Sequence, residues 1–303
     1  MKTISDINVE LFSGIPHANL DVEKAAAYIS KIAERLPFEK STELSKIDWH
    51  GKTVVEAGCG AGFKCLPMAL NGANVIGIDG SKAQVGRARE HAKAVGVDAE
   101  FHVSRLENIL SMWQAKNLPK ADLIICSAVI HHVSGWRTLV EQLNEILKPG
   151  GWLYLTWCDW TLSLSGFNFK NQIAFKSGWN AGSRLAIGKA LFGWVDKGRN
   201  RMNLPDDSFY ADLYSAYYIP ISAGRMRKQL NANDLEICES FPPMDVQGWL
   251  KKPGGVSERN LKLVRQIPGW LTERLVRWRY YFITAHAPRI FVCKRIQKKP
   301  RVE

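Results

Sequence analysis

One short stretch combines a carboxylate with three alternating glycines, a set of residues that can hold a polar ligand against the main chain. The sequence TVVEAGCGAGF spans residues 53–63, and its carboxylate and glycines are Glu56, Gly58, Gly60 and Gly62. Glycine adopts the φ values of a sharp turn and, without a Cβ, lets a ligand approach the backbone closely. Since residues 53–55 are apolar or β-branched, as in a buried strand, the stretch predicts a strand, a glycine turn and a helix.

The spacing of the glycines limits the kind of ligand. A dinucleotide-binding turn follows G-x-G-x-x-G, which would place its third glycine where Phe63 stands. A P-loop ending at Gly51-Lys52-Thr53 would need a glycine at Lys46, and that triplet precedes the strand instead of following it. The pattern E-x-G-x-G-x-G therefore fits neither of these phosphate-binding motifs.

A second acid, Asp79, ends the next predicted strand and lies 17 residues after Gly62. A carboxylate roughly 20 residues beyond such a turn accepts hydrogen bonds from ribose hydroxyls. The alternative is that Asp79 caps the helix predicted at residues 81–95. In combination with the glycine turn, the pattern favours the ribose.

These residues resemble motif I and the following acid of the class I S-adenosylmethionine-dependent methyltransferases, in particular the small-molecule type that includes ubiquinone-pathway, menaquinone-pathway and natural-product methylases. The sequence LKPGG at residues 147–151 also matches a turn that is common in this family. The resemblance implies S-adenosylmethionine as the cofactor. It covers residues 50–160 well and the last two predicted strands loosely. The cofactor-binding positions that it implies are Glu56, Gly58, Cys59, Gly60, Gly62, Asp79, Gly80, Ser104, Arg105, Leu106 and Ser127.

One of these positions departs from the family. Ser104 stands where members usually have an acid that bonds the adenine amino group. A serine hydroxyl still accepts a hydrogen bond there.

Strands and helices alternate from residue 49 onward, which predicts an α/β fold with a doubly wound parallel sheet. Predicted strands are 53–57, 74–78, 99–103, 121–127, 151–157, 235–238 and 289–293, and predicted helices are 62–71, 81–95, 106–115 and 135–147. Pro149, Gly150 and Gly151 are predicted to separate the fourth helix from the fifth strand. Together with the resemblance, the order predicts a Rossmann-like sheet of about seven strands, mostly parallel with an antiparallel last strand, plus a helical and aromatic lid insertion.

The same order divides the chain into four parts. The predicted parts are an N-terminal helical cap at 1–45, a cofactor-binding core at 46–158, a substrate lid insertion at 159–222, and a completion of the sheet at 223–303 with a basic helical insertion at 242–288. An amphipathic helix at residues 21–36 belongs to the cap. In the resembled family such a helix covers the cofactor, and the alternative is simple packing on the sheet edge.

Two adjacent histidines, His131 and His132, follow the fourth predicted strand. Ligands of open α/β sheets bind outside the carboxyl ends of the strands, so these imidazoles are candidate bases for a hydroxyl acceptor. The alternative is a structural role in orienting the loop. This position lacks the Asn/Asp-Pro-Pro-aromatic stretch that is typical of methylases acting on nucleobase amines.

The predicted lid insertion is rich in aromatic residues and supplies the candidate substrate-binding side chains Tyr210, Tyr214, Tyr217 and Tyr218. A solvated loop with its tyrosines packed on the sheet is the alternative. The six cysteines include no C-x-x-C pair, which argues against zinc and predicts no metal site. No signal-peptide pattern and no run of 18 apolar residues occurs, so we expect a reduced, cytoplasmic protein.

The net charge of +12 is concentrated near the C-terminus. Residues 251–303 contain 14 Lys and Arg against three Glu, a net +11, which leaves +1 for the first 250 residues. Within this part, residues 270–283 form a basic amphipathic pattern that suits either a lid or a helix lying on the inner face of an anionic membrane.

Three functions are compatible with this sequence. The favoured one is O- or N-methylation of a small molecule, with a lipidic or membrane-presented acceptor as one form of it. Methylation of tRNA or rRNA through the basic segment is the alternative, although the grouping of the aromatic residues argues against a nucleic-acid partner. A non-catalytic binding protein with a methyltransferase fold is the third, and the intact glycines argue against it.

Overall fold

The computed structural model describes residues 9, 13, 21–38, 41–157, 219, 221–241 and 289–296. Seven strands of this part form one sheet: β1 (Thr53–Ala57), β2 (Asn74–Asp79), β3 (Glu100–Val103), β4 (Ala121–Ser127), β5 (Leu147–Trp157), β6 (Leu235–Phe241) and β7 (Arg289–Arg295). The helices that flank it are α1 (Val22–Ala33), α2 (Cys65–Leu70), α3 (Lys82–Val95), α4 (Ile109–Ala115), α5 (Trp136–Ile146) and α6 (Ala223–Ala232). One-turn 3-10 helices occur at Leu44–Lys46, Leu106–Asn108 and Ile130–His132.

The sheet order is β3-β2-β1-β4-β5-β7-β6. Strands β1 to β5 pair in parallel, whereas β7 is antiparallel to both β5 and β6. This arrangement confirms the predicted fold class, including the antiparallel last strand. The chain order reverses between β1 and β4, and open α/β sheets bind their ligands in the crevice at such a point.

Apolar layers cover both faces of the sheet, which is why β1 is buried along its whole length. Val54 and Leu123 face a layer that includes residues of α1, α2 and α3, whereas Val55 and Ile124 face a layer that includes residues of α4, α5 and α6. Successive side chains of a strand point to opposite faces, so a strand covered on both sides is apolar along most of its length.

Most predicted elements are confirmed, although several of their boundaries differ. The fifth strand begins at Leu147, so the prediction that the Pro-Gly-Gly turn precedes it is wrong. Gly150 has φ +78° within the strand, and the pairing with β4 shifts register between Ala121 and Leu123. Helix α2 begins at Cys65, three residues later than predicted, because the glycine turn continues to Lys64. Helix α6 is capped by Ser222, whose hydroxyl accepts from the Arg225 N–H at 3.3 Å.

Several predictions concern residues outside the described part. They are most of the lid insertion at 159–222 with its four tyrosines, the basic insertion at 242–288 and the helix at 270–283. Within the described residues, no helix is both long and apolar enough to span a membrane.

Candidate functional site

The glycine turn after β1 leaves its backbone open at one position and tightly packed at another. Gly60 has φ +51°, and a Cβ at this position would meet no atom of the described residues within 4 Å. Gly58 has φ +78°, and a Cβ there would lie 2.8 Å from a Val129 methyl group. The turn therefore packs against the loop after β4 through Gly58 and presents free space for a ligand at Gly60.

The carboxylate of Asp79 is fixed at the end of β2 by two main-chain donors. One oxygen accepts from the Gly60 N–H at 2.9 Å and the other from the Ser81 N–H at 2.8 Å. Burial raises the pKa of Asp79, and these hydrogen bonds only partly offset the effect. The N-cap of α3 is Ser81, whose hydroxyl accepts from the Gln84 N–H at 3.2 Å. The alternative assignment of Asp79 as that cap is therefore wrong.

Glu56 is a residue of β1, and its carboxylate lies against the first residue of α2. It is 4% exposed, and its Oε2 accepts from the Cys65 N–H at 3.0 Å. Burial raises the pKa of Glu56 to about 7, while nearby Lys64 and the Cys65 hydrogen bond oppose the rise. The glutamate supports the first turn of α2, and its ionised form is disfavoured by burial.

A row of polar groups crosses the carboxyl ends of β4 and β5. The amine of Lys64 donates to the hydroxyl of Ser127, and this hydroxyl lies 2.8 Å from that of Thr156. Thr156 also accepts from the Ala128 N–H at 3.0 Å. Ala128 has φ +57°, an uncommon value for a residue with a Cβ, and such backbone strain often occurs at functional sites.

The turn after β3 is tied to Asp79 by the main chain. The Ser104 N–H donates to the Asp79 carbonyl oxygen at 2.9 Å, and the Ser104 hydroxyl donates to the Arg105 carbonyl oxygen at 3.2 Å. Leu106 is 5% exposed and belongs to the core. The predicted adenine-side residues are thus close to the predicted ribose-side acid.

Two residues near the N-terminus lie against the turn after β2. A Cβ on Gly80 would lie 3.0 Å from a methyl group of Val9. The hydroxyl oxygens of Ser13 and Ser81 are 2.5 Å apart. Helix α1 packs farther along, against α2 and α3. The chain before α1 therefore contacts the predicted cofactor site directly.

The paired histidines are buried in the one-turn helix after β4. Their ring centroids are 4.1 Å apart, and His131 is fully buried while His132 is 8% exposed. The His131 carbonyl oxygen accepts from the Ile219 N–H at 2.8 Å. This position next to the carboxyl end of β4 agrees with the expected location, and the role of a base stays a prediction.

The structure therefore brings the predicted cofactor-binding residues to one edge of the sheet. Cys59 is among them; it is buried, and its N–H donates to the Ile78 carbonyl oxygen at 3.0 Å. Sequence reasoning missed Lys64 and Thr156. Lys64 could have been found as a cation at the start of an otherwise apolar helix, whereas Thr156 gives no signal within an apolar strand.

Residues 49–187 match a family model described as a methyltransferase domain. These residues, a little under half of the chain, thus form a methyltransferase domain. Two curated relatives are ubiquinone biosynthesis O-methyltransferases. The protein from Chromobacterium violaceum is 28% identical over 52% of this chain and 64% of its own length. The protein from Chelativorans sp. (strain BNC1) is 32% identical over 39% of this chain and 45% of its own length. The match thus spans less than two thirds of either relative.

Among solved structures, PKMT2 from Rickettsia typhi superposes on the methyltransferase domain and its flanks with a TM-score of 0.54. The identity is 17%, and the match covers 91% of this chain and 54% of that chain. At this identity the likeness concerns the fold alone.

The residues of the methyltransferase domain fit S-adenosylmethionine, the cofactor of this family. The Asp79 carboxylate has lone pairs left for ribose hydroxyls, and the space at Gly60 lets a ligand reach the main chain. Lys64 and Ser127 lie across β1 from Asp79, at the end that would take the polar amino-acid part. The bound cofactor would supply a methyl group activated by a positively charged sulfur.

Proposed function

We propose that this protein is an S-adenosylmethionine-dependent methyltransferase that acts on a small molecule, with oxygen as the favoured methylated atom. The observation that carries the proposal is the Asp79 carboxylate bonded to the Gly60 N–H beside an open stretch of backbone. This arrangement suits a nucleoside that is bound without phosphate groups. The names of the curated relatives support oxygen over nitrogen as the acceptor atom.

The acceptor would approach from the β4 side of the crevice. A methyl transfer needs an aligned nucleophile and exclusion of water, and for a hydroxyl also removal of a proton. His131 and His132 are candidates for that last task, because imidazole exchanges protons near neutral pH. The tyrosines of the lid insertion and a membrane-presented acceptor remain proposals that rest on the sequence of residues 159–222 and 270–283.

A label-transfer experiment tests the proposed function. The purified protein is incubated with S-adenosylmethionine carrying an isotopically labelled methyl group and with separate small-molecule, lipid and RNA fractions of a cell extract. We expect label in the small-molecule or lipid fraction, in a product one methyl group heavier than a compound of that fraction. Asp79→Ala is the matched variant, because loss of the ribose acceptor should weaken cofactor binding by about 1–3 kcal/mol.

Two results would contradict the proposal in different ways. Label in the RNA fraction alone would favour the alternative that uses the +11 charge of residues 251–303. Absence of cofactor binding by the unaltered protein in calorimetry would instead indicate a non-catalytic protein with this fold.

A further inference from the structure

His91 is a buried imidazole that the proposed chemistry does not use. It lies in α3, is 1% exposed, and its Nδ1 is 2.8 Å from the Ala61 carbonyl oxygen. A carbonyl oxygen only accepts hydrogen bonds, so Nδ1 carries a proton and is the donor. Ala61 stands between Gly60 and Gly62. A side chain of α3 therefore holds the main chain of the glycine turn.

The Ala61 carbonyl oxygen is available to His91 because the start of α2 omits one regular hydrogen bond. In an α-helix each N–H donates to the carbonyl oxygen four residues earlier, so the Cys65 N–H would donate to Ala61. It donates instead to Glu56 Oε2 at 3.0 Å, and the regular pattern resumes one residue later. Within the described residues, no main-chain N–H donates to the Ala61 oxygen. Glu56 and His91 thus each take one partner of the omitted bond, and neither buried group is left unpaired.

Packing contacts fix the place of the imidazole against the turn. The ring centroids of His91 and Phe63 are 5.2 Å apart, and the ring of Tyr28 in α1 meets Phe63 edge-on at 5.7 Å. Three residues before His91 in α3, the Cβ of Ala88 would lie 3.5 Å from a Cβ on Gly62. Since α3 packs this closely against the turn, the imidazole has little freedom to move away from Ala61.

Two side chains together anchor the open part of the turn. The Gly60 N–H donates to Asp79 at 2.9 Å, and the Ala61 carbonyl oxygen accepts from His91 at 2.8 Å. The peptide group between Gly60 and Ala61 lies between these two anchors along the chain. Glycine on either side of Ala61 would otherwise let this segment adopt many conformations. A ligand that had to order the segment would bind more weakly, because ordering reduces the free energy of binding.

We propose that His91 is a positioning residue, which holds the glycine turn in its cofactor-binding conformation through the Ala61 carbonyl oxygen. The proposal rests on the proposed function, in which this turn contacts the cofactor. His91 acts on the ligand only through the main chain. Its role requires a hydrogen-bond donor at the position of Nδ1, which distinguishes it from a ring that merely fills space in the core.

Calorimetry with S-adenosylhomocysteine compares two substitutions of His91. His91→Leu fills similar space without a donor, whereas His91→Asn places an amide N–H near the position of Nδ1. We expect His91→Leu to weaken binding about 10-fold or more, as for a lost hydrogen bond, and His91→Asn to retain most of the affinity. Leu230→Ala in α6 is the matched control. It removes a fully buried side chain in the apolar layer on the other face of the sheet, so it should lower stability without changing the affinity.

Hydrogen exchange of the Gly60 amide in the ligand-free protein is a second readout. This amide should exchange faster in His91→Leu than in His91→Asn, because a turn released at Ala61 opens more often. If His91→Leu does not fold, His91→Gln replaces it in both measurements, since its amide lies one bond farther from the main chain than Nδ1.

Equal affinities of His91→Leu and the unaltered protein would overturn the proposal, as would equal exchange rates of the Gly60 amide. Equal losses of affinity in His91→Leu and His91→Asn would overturn it as well, because they would show that the ring matters and its donor does not. A similar loss in Leu230→Ala would also overturn it, because affinity would then simply follow stability. Failure of the unaltered protein to bind S-adenosylhomocysteine would overturn the proposed function itself, and the exchange rates would still test the anchor.

Discussion

Carboxylates at the carboxyl edge and at the amino edge of the sheet have pKa values shifted in opposite directions. At the carboxyl edge, burial raises the pKa of Glu56 and of Asp79. At the amino edge, burial also acts on Asp122, but hydrogen bonds from Lys148 at 2.7 Å and from the Thr53 N–H at 2.9 Å outweigh it and lower the pKa. The ionised form is therefore disfavoured at one edge and stabilised at the other.

The difference separates a stabilising contact from a ligand site. Asp122 joins β1, β4 and the turn at Lys148, so its charge is satisfied within the protein. Glu56 and Asp79 are left with incompletely compensated charge, and such groups cluster where a ligand or substrate completes the site. The proposed cofactor is a cation at sulfur and has ribose hydroxyls, so its binding would provide what the carboxyl edge lacks.

Two glycines with the same backbone angle give the largest expected contrast between the edges. Gly58 at the carboxyl edge and Gly72 at the amino edge have φ +78° and +79°. A Cβ on Gly58 would lie 2.9 Å from the Cβ of Val129, which no rotamer change can move. A Cβ on Gly72 would meet the ring of exposed His50, which can turn away. We expect Gly58→Ala to cost about 2–5 kcal/mol and Gly72→Ala about 1–2 kcal/mol in unfolding free energy.

Urea unfolding of both variants measures this contrast. The double variant Gly58→Ala/Val129→Ala serves as the control. It removes the two γ-methyl groups of Val129 and keeps the contact between the two Cβ atoms, so it should recover part of the lost unfolding free energy. Equal costs for the two single variants would show that the carboxyl edge is no more tightly packed than the amino edge.

The next effect concerns the pH dependence of stability. The pKa of Glu56 is about 7 in the folded protein, whereas the ordinary pKa of a glutamate is 4.5. Between these values the unfolded chain releases the proton and the folded protein retains it, so stability falls as the pH rises. Between pH 4.5 and 7, we expect the unfolding free energy of the unaltered protein to fall by about 3 kcal/mol more than that of Glu56→Gln.

Denaturant titrations at several pH values, made on both proteins, check this prediction. The Cys65 N–H keeps an oxygen acceptor in Glu56→Gln, so the start of α2 should be retained. A constant difference between the two proteins across this range would mean that Glu56 ionises in the folded state as it does in water.

Sequence patterns were sufficient for the elements that depend on local periodicity. The apolar run at residues 53–55 and the alternation of strands and helices predicted β1 and its neighbours, whereas the antiparallel β7 was predicted only with the help of the family resemblance. The start of β5 was not predictable, because Pro149 and the two glycines following it suggest a break, whereas the shift in register with β4 lets the strand include them. Long-range pairing decides such a boundary.

The site was predictable where one residue type is required by chemistry or by backbone geometry. Glycines at a sharp turn and an acid at the end of β2 meet this condition. Lys64 and Thr156 do not, because their roles arise only when α2, β4 and β5 are brought together. The contact of Val9 with Gly80 likewise joins residues far apart in the chain.

The smallest expected effect is at the amino edge, where Asp122→Asn removes a charge but keeps an oxygen that can accept from the Thr53 N–H. The folded pKa of Asp122 is below its ordinary value of 3.8, so its contribution is present above that value and is lost as the pH falls through the folded pKa. Since Lys148 is about half exposed, we expect a loss of only about 1 kcal/mol at pH 7. The loss should vanish in acid, opposite in direction to Glu56→Gln.

Lys148→Met should cause a similar loss, and the double variant should lose little more than either single one. Additive losses would show that Asp122 and Lys148 act independently, and that the amino edge does not depend on their contact.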